Sequence, residues 1–194
     1  NKKGVAVGAT VMVLTQIVIG PIMTMTPVHM RHHGHGLTEV GVVIGFHIGS
    51  MYFPSLFTGV LIDKIGRTAM TMASGIILLL AGLVAAMAPS DSMVLLLVAL
   101  SLLGLGWNLG LISGTAQIVD ATEALTRAKT HGTIDVLIAL AGASGGALSG
   151  MVVAQSSYAV LSLSGGILSL ILIPVIIWAY RSTGENKVKV GQGL

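Results

Sequence analysis

Residues 59–67 read GVLIDKIGR, and the charged end of this segment separates two stretches without any charged side chain, Val40–Ile62 and Thr68–Ser90. Each stretch has 23 residues, and a helix needs about 20 apolar residues to cross the hydrocarbon core of a bilayer. The segment therefore predicts a short turn that joins two transmembrane helices on one side of a membrane.

The composition of the whole chain agrees with a membrane location. The 194 residues include ten Lys or Arg and seven Asp or Glu, so that 9% of residues are charged and 54% are hydrophobic. About a quarter of the residues of a soluble domain are charged, which excludes that class. The absence of cysteine excludes a disulfide scaffold. A net charge of +3 forms no basic patch, so the expected partner is the lipid bilayer and not a nucleic acid.

Three further charge-free stretches complete the predicted topology: Gly4–Met30, Ser92–Val119 and Val136–Tyr180. The third has 45 residues and must turn, which we expect at the polar run QSSY of residues 155–158. The result is two spans near His131–Ala154 and Tyr158–Tyr180. The prediction is an all-α protein with six transmembrane helices in residues 1–180, followed by a disordered cytoplasmic tail, 181–194. Barrel strands are excluded because runs such as residues 76–80 are apolar on every face.

The basic residues predict the orientation of the six helices. Nine of the ten fall on the side that holds both termini, and only Arg31 falls on the other side. Because Lys and Arg accumulate in cytoplasmic loops, both termini are expected in the cytoplasm. The expected location is a bacterial inner membrane. The nine residues are Lys2, Lys3, Lys64, Arg67, Arg127, Lys129, Arg181, Lys187 and Lys189.

Four side chains within the predicted spans stand out as candidates by their polarity: Gln16, His47, Asn108 and Asp135. Polar groups at membrane depth face either a cavity or a neighbouring helix. Both alternatives stay open for Gln16 and Asn108. Asp135 is expected about one turn inside the cytoplasmic end of its span, either as an acid that reaches water near the helix N-terminus or as a proton-coupling or gating acid. Pro21 and Pro27 are expected to kink the first helix.

His47 and Met51 lie four residues apart and therefore share one face of the second helix. With Met23 and Met25 of the first helix they form a candidate site for Cu(I), which prefers imidazole and thioether ligands. The alternative is that His47 bonds a neighbouring helix and that Met51 fills the core.

Two other segments have simpler interpretations. Residues 29–36 read HMRHHGHG and are expected to form a solvated external loop. Gly142, Gly146 and Gly150 repeat at intervals of four residues, a spacing that predicts the close approach of another helix.

The pattern G-x-x-x-D-K-x-G-R at residues 59–67 resembles the gating-loop signature of the major facilitator superfamily, which lies between the second and third helices of a six-helix half. The matching residues are Gly59, Asp63, Lys64, Gly66 and Arg67. The resemblance gives Gly59 a close helix contact, Asp63 the role of the acid, Gly66 a tight turn and Arg67 the role of the terminal base. It extends over Lys3–Arg181, and the polar tail favours the carboxy-terminal half.

This resemblance implies a protein of two six-helix halves that rock around a central cavity, so this chain would lack the first half. The cavity would be lined by the first, second, fourth and fifth helices, which hold Gln16, His47, Met51, Asn108 and Asp135. The substrate would be a small molecule or an ion, with no bound cofactor.

A narrower resemblance concerns His47-x-x-x-Met51, which is similar to the HxxxM motif of bacterial copper importers. Those importers also carry MxxxM in the preceding helix, whereas here Ile19 stands four residues before Met23. The similarity of His47-x-x-x-Met51 to HxxxM makes the import of copper or another transition metal the alternative substrate hypothesis. The alternative from another functional class is a six-helix membrane scaffold or binding subunit. The chain has no paired-aspartate, HExxH or nucleophile motif, so it is not expected to be an enzyme.

Overall fold

The computed structural model describes residues 2–178, and within this range the secondary structure is entirely helical. Five helices are long and apolar enough to cross a membrane, and a sixth span results if α2 and α3, bent by 41°, are taken together. The prediction of an all-α, six-span membrane protein is confirmed. The helices are α1 (Lys2–His32), α2 (Leu37–Tyr52), α3 (Ser55–Ile65), α4 (Arg67–Met87), α5 (Met93–Ala121), α6 (Ala124–Gln155) and α7 (Tyr158–Ser169), with the last span reaching Trp178.

Helix α5 is the centre of the bundle, since it packs against α1, α2 and α4. Helix α7 packs against α4 and α1, and α6 lies against α1. The main core forms where these helices meet, from buried apolar side chains that include Val11, Val18, Ile22, Val43, Leu78, Leu96, Leu100, Leu103 and Leu172. The connections at residues 33–36, 88–92 and 156–157 lie at one end of the bundle, called here the 33–36 end. The opposite end, with Gly66, is the Gly66 end.

Small residues allow the helices to approach closely. A Cβ atom added to Gly8 of α1 would lie 2.6 Å from the carbonyl oxygen of Gly114 in α5. One added to Gly82 of α4 would lie 2.5 Å from the carbonyl oxygen of Ser162 in α7. Close helix packing through small residues is characteristic of membrane bundles. The predicted close approach at the glycines of α6 is confirmed, because Cβ atoms at Gly142, Gly146 and Gly150 would each lie within 4.0 Å of α1 side chains.

The second span is not the continuous helix, residues 38–62, that the sequence pattern predicts. It breaks between Tyr52 and Ser55, because Pro54 has no amide hydrogen and its ring conflicts with the carbonyl of Ser50. Hydrophobicity locates a span but does not show whether its backbone is broken. In α1, by contrast, the helix continues through both Pro21 and Pro27.

Two helix ends also differ from the prediction. Helix α6 begins at Ala124 and not near His131, because residues 124–130, which include the charged Arg127 and Lys129, are also helical. Asp135 therefore lies 11 residues, about 16 Å, from the start of its helix and not one turn from it. Helix α1 reaches His32, which shortens the expected loop of residues 29–36 to residues 33–36. The predicted tail, 181–194, lies outside the described residues.

Candidate functional site

Three side chains from three helices meet beside α5. Trp107 of α5 donates its indole Nε1–H to Oε1 of Gln16 in α1, at 3.1 Å. The same indole packs against the ring of Tyr52 in α2, with ring centroids 5.9 Å apart and planes inclined by 71°. Edge-to-face geometry of this kind is a favourable arrangement of aromatic rings. Trp107 therefore joins Gln16 to Tyr52, and we call these three residues the Gln16–Tyr52–Trp107 cluster.

The three members of the cluster lie at one depth in the bundle. Counted from the helix termini at the 33–36 end, Gln16 is 16 residues into α1, Tyr52 is 15 into α2 and Trp107 is 14 into α5. At 1.5 Å per residue these intervals are about 24, 22 and 21 Å. The cluster is therefore a single layer inside the bundle and not a series of unrelated contacts.

A fourth helix approaches the same layer through a glycine. A Cβ atom at Gly142 of α6 would lie only 2.9 Å from Nε2 of Gln16. The backbones also approach here, since a Cβ atom at Gly20 of α1 would lie 3.5 Å from the carbonyl oxygen of Gly142. Gly142 therefore leaves space for the amide of Gln16, and the bond from Trp107 places Gln16 at a helix interface.

Asn108 lies next to Trp107 and is buried against the break in the second span. Its Nδ2 donates to the carbonyl oxygen of Met51 at 2.7 Å and to Oγ of Ser55 at 2.6 Å. In an unbroken helix the Met51 carbonyl would accept from the amide four residues later, so Asn108 supplies a donor where the helix is interrupted. Of the two alternatives for Asn108, the structure shows the contact with a neighbouring helix.

His47 is buried between α2 and α5, with its Nδ1 lying 2.8 Å from the carbonyl oxygen of Leu100. That bond requires a hydrogen on Nδ1, so Nε2 of the neutral ring is a free acceptor. Among the described residues, Nε2 has no hydrogen-bond partner although it is buried. Met51 is partly buried against the main core.

The predicted copper ligands do not lie at one interface. His47 faces α5, whereas Cε of Met25 lies 4.0 Å from the Cβ position of Gly150 in α6. Met23 precedes Met25 by two residues and is partly buried. Within residues 2–178, no group of three or more His, Asp or Glu side chains is placed to hold a metal ion.

Asp135 is exposed on α6 and makes no hydrogen bond or ion pair with the rest of the described chain. Gln16 contacts Trp107, and Asn108 is the next residue of α5. These two predicted residues therefore belong to one region of α5, whereas Asp135 contacts neither of them.

A second polar site occupies the Gly66 end. Gly66 ends α3 and starts α4 with φ 90° and ψ 158°, a backbone conformation that is essentially limited to glycine. Arg67 follows, and its Nε lies 2.8 Å from Oδ2 of Asp120 at the end of α5. Asp63 is more distant, with Oδ1 3.9 Å from an Arg67 nitrogen, and its side chain is 75% exposed. The turn and the ion pair fix the start of α4 against α5.

Hydrogen bonds between α4 and α5 continue this site into the bundle. Thr71 donates to Oγ of Ser113 at 3.0 Å and accepts from Nε2 of Gln117 at 3.1 Å. One turn further, Ser74 donates to the carbonyl oxygen of Gly106 at 2.6 Å. These bonds bind α4 and α5 into one unit.

The remaining residues of the loop are less constrained. Lys64 is exposed on α3. Residues 2–178 do not make the close helix contact expected at Gly59, since a Cβ atom there would meet nothing within 4 Å. The reason is that this face of α3 points away from the helices of this bundle.

At the opposite end, the expectation of freely solvated histidines is wrong for His35. This side chain is buried, with Nδ1 3.2 Å from Oε2 of Glu39 and Nε2 3.1 Å from the carbonyl oxygen of Ser90. The Glu39 carboxylate and the Ser90 carbonyl are both acceptors. Through these two contacts, His35 joins the start of α2 to the segment between α4 and α5. Of the other histidines in residues 29–36, His32 and His33 are exposed, and His29 is half-buried and stacks on Tyr158.

Sequence reasoning missed Tyr52, Ser55, Trp107 and Asp120. A signal existed for three of them. Pro54 marks a helix break that needs a neighbouring donor. Trp107 stands inside a span, whereas tryptophan in membrane proteins prefers the interface. Asp120 ends the fourth span on the side that also holds Arg67.

Comparison with known proteins agrees with the fold. A family model described as Major Facilitator Superfamily matches residues 5–193. An uncharacterised MFS-type transporter of Bacillus subtilis, YdeG, is 74% identical over 179 residues, which cover 92% of this chain and 42% of the relative. A second from the same organism, YddS, is 64% identical over 186 residues, 96% of this chain and 43% of the relative.

A more distant relative has a named substrate. The riboflavin transporter RfnT of Brucella anthropi is 31% identical over 157 residues, 80% of this chain and 39% of the relative. The chain spans somewhat less than half the length of each of these relatives. The match over nearly all its residues, together with the six apolar spans, shows that the chain belongs to the major facilitator superfamily.

Proposed function

We propose that this chain is the carboxy-terminal six-helix half of a secondary transporter, which carries a small molecule or ion across a membrane by alternating access. One observation carries the proposal. A chain with six apolar spans belongs to this superfamily and covers only 42% and 43% of two relatives that are named transporters. A second six-helix half would then complete the cavity, and the two halves would rock around it.

The uncovered helix faces support the need for a second half. Helix α6 has 32 residues, of which only Ile134 and Ser149 are buried. Helices α2 and α3 and the break between them expose large aromatic side chains at Phe46, Phe57 and Phe53, respectively. Lipid and a second half are the two surfaces that cover such faces in a membrane transporter.

We also propose that the loop of Asp63, Lys64, Gly66 and Arg67 is part of a cytoplasmic gate. The ion pair from Arg67 to Asp120 supports this role, because it ties the loop to the far end of α5. The exposed side chain of Asp63 supports contact with a surface outside this bundle. Nine of the ten basic residues fall on the side that holds both termini, and this bias supports cytoplasmic termini. The bacterial relatives, named as MFS-type transporters, support a multi-pass location in a bacterial cell membrane.

A second candidate cargo is a soft metal ion such as Cu(I). The observation that favours it is the buried Nε2 of His47, which has a free lone pair and no partner in residues 2–178. If copper is carried, His47→Ala and Met51→Ala lower copper accumulation in cells, whereas Met72→Ala on the exposed face of α4 does not. Unchanged accumulation in both variants would exclude copper.

The experiment that tests the two-half proposal uses the complete coding sequence. Six further apolar spans are expected upstream of this chain. Expressed as two separate polypeptides, the upstream part and this chain should copurify in detergent when only one carries an affinity tag. A coding sequence without those spans, or a chain that purifies alone in stable form, would contradict the proposal and favour the six-helix scaffold.

A further inference from the structure

The Gln16–Tyr52–Trp107 cluster presents two kinds of binding group at one depth. The first is an aromatic surface. Tyr52 meets Trp107 edge to face, and its side chain remains 61% exposed although it lies about 22 Å along α2 from the start of the helix. A tyrosine ring in this position has an open face, on which a flat solute can stack.

The second binding group is the amide nitrogen of Gln16. Its Oε1 is already occupied by the indole N–H of Trp107, so the orientation of the amide is fixed and Nε2 carries two available hydrogens. Among the described residues, Nε2 has no acceptor, and Gly142 keeps a side chain away from it. A donor at membrane depth is costly without a partner, and a solute with a carbonyl or ring-nitrogen acceptor would provide one.

The positions of the helices place these groups toward an open side of the bundle. Trp107 projects between α1 and α2, which pack on different faces of α5. Gly106, about 100° around α5 from Trp107, is covered by Leu78 of α4. The cluster therefore belongs to the side formed by α1, α2, α5 and α6, and it is separated from the outer helices α4 and α7.

From these contacts we infer that the cluster is a subsite for a planar heteroaromatic solute with a carbonyl or ring-nitrogen acceptor. The solute stacks on Tyr52 and accepts a hydrogen bond from Nε2 of Gln16. Trp107 is a positioning residue, because its indole N–H holds the amide in the required orientation. This inference rests on the proposed transport function and specifies the class of its substrate.

The test is equilibrium binding to the full-length protein in detergent, with riboflavin as the fluorescent probe. Stacking on an aromatic side chain quenches the flavin, so saturable quenching is expected. Xanthine, which has a planar ring with carbonyl groups, should compete, and ribitol, which has no ring, should not. Tyr52→Leu should weaken binding about tenfold, because it removes one stacking contact. Gln16→Met should weaken binding by a similar factor, because it removes the hydrogen-bond donor and leaves the acceptor of the solute without a partner.

Two variants control for folding and for nonspecific effects. Phe46→Leu removes another exposed aromatic side chain of α2 and should keep the parent affinity. Tyr52→Phe keeps the ring, so it should recover most of the affinity that Tyr52→Leu loses. The inference is overturned if riboflavin shows no saturable quenching, if ribitol competes as well as xanthine, or if Tyr52→Leu and Gln16→Met both bind like the parent. Because binding is measured without transport, these results do not depend on whether the protein alternates between two states.

Discussion

Asn108 of α5 donates two hydrogen bonds across the break between α2 and α3, to the Met51 carbonyl at 2.7 Å and to Oγ of Ser55 at 2.6 Å. The break lies next to Tyr52, so the contact that satisfies the Met51 carbonyl also fixes the backbone beside this residue of the cluster. Asn108 thus links the stability of the second span to the geometry of the candidate site.

Asn108→Ala should therefore destabilise the protein by about 1–2 kcal/mol, since it removes both bonds and leaves the Met51 carbonyl without this donor. The midpoint of thermal unfolding in detergent measures the loss. Ser55→Ala removes only one of the two bonds and should cost less. Equal midpoints for Asn108→Ala and the parent protein would show that Asn108 does not stabilise the break.

Gly66 and Gly59 form a matched pair for a backbone test. A Cβ atom at either position would meet nothing within 4 Å, but Gly66 has φ 90°, whereas Gly59 lies inside α3. Gly66→Ala should cost about 1–3 kcal/mol, because other residues are strained in this conformation. Gly59→Ala should stabilise the helix by about 0.5–1 kcal/mol. Thermal unfolding of both variants measures the difference, and similar effects of the two substitutions would contradict the assigned turn.

The ion pair of Arg67 with Asp120 should couple α4 to α5 only weakly in energy. The two side chains are 37% and 53% exposed, so a double-mutant cycle with Arg67→Gln and Asp120→Asn should give a coupling of about 0.2–1 kcal/mol. The coupling should decrease at high salt. A parallel cycle with Asp63→Asn should give a smaller value, because Asp63 lies 3.9 Å away. A larger coupling to Asp63 than to Asp120 would contradict the observed pairing.

Gly142→Ala should displace the amide of Gln16, because the added methyl group would lie 2.9 Å from Nε2. We expect riboflavin binding to weaken several-fold while the protein stays folded, since the end of a flexible side chain can move. Gly132→Ala on the same helix is the control, because its Cβ would meet nothing within 4 Å. Identical affinities in the two variants would show that the orientation of Gln16 does not matter.

The sequence predicts the number of spans well, because hydrophobicity over about 20 residues is a property of the composition of each segment. It does not predict the break at Pro54. Pro21 and Pro27 lie within a continuous helix, whereas Pro54 lies at an interruption, so proline alone does not distinguish the two outcomes. The distinction depends on partners such as Asn108, which lies 54 positions away in the sequence.

The candidate site was predictable only in part for the same reason. Polarity within a span identified Gln16 and Asn108, because amides at membrane depth need partners. Nothing local to Tyr52 or Trp107 shows that they pair with each other or with Gln16. Such pairing follows from the arrangement of α1, α2 and α5, which the pattern of one chain segment does not determine.

The most direct measurement of the proposed alternating access is the accessibility of Tyr52 from the two sides of the membrane. This chain contains no cysteine, so single cysteines can be introduced at Tyr52, Asp91 and Leu125 of a full-length protein otherwise free of cysteine. In right-side-out and inverted vesicles, a membrane-impermeant maleimide should label Tyr52→Cys from both sides. Asp91→Cys should react only from outside, and Leu125→Cys only from the cytoplasmic side. Labelling of Tyr52→Cys from one side only, with both controls behaving as expected, would contradict alternating access at this site.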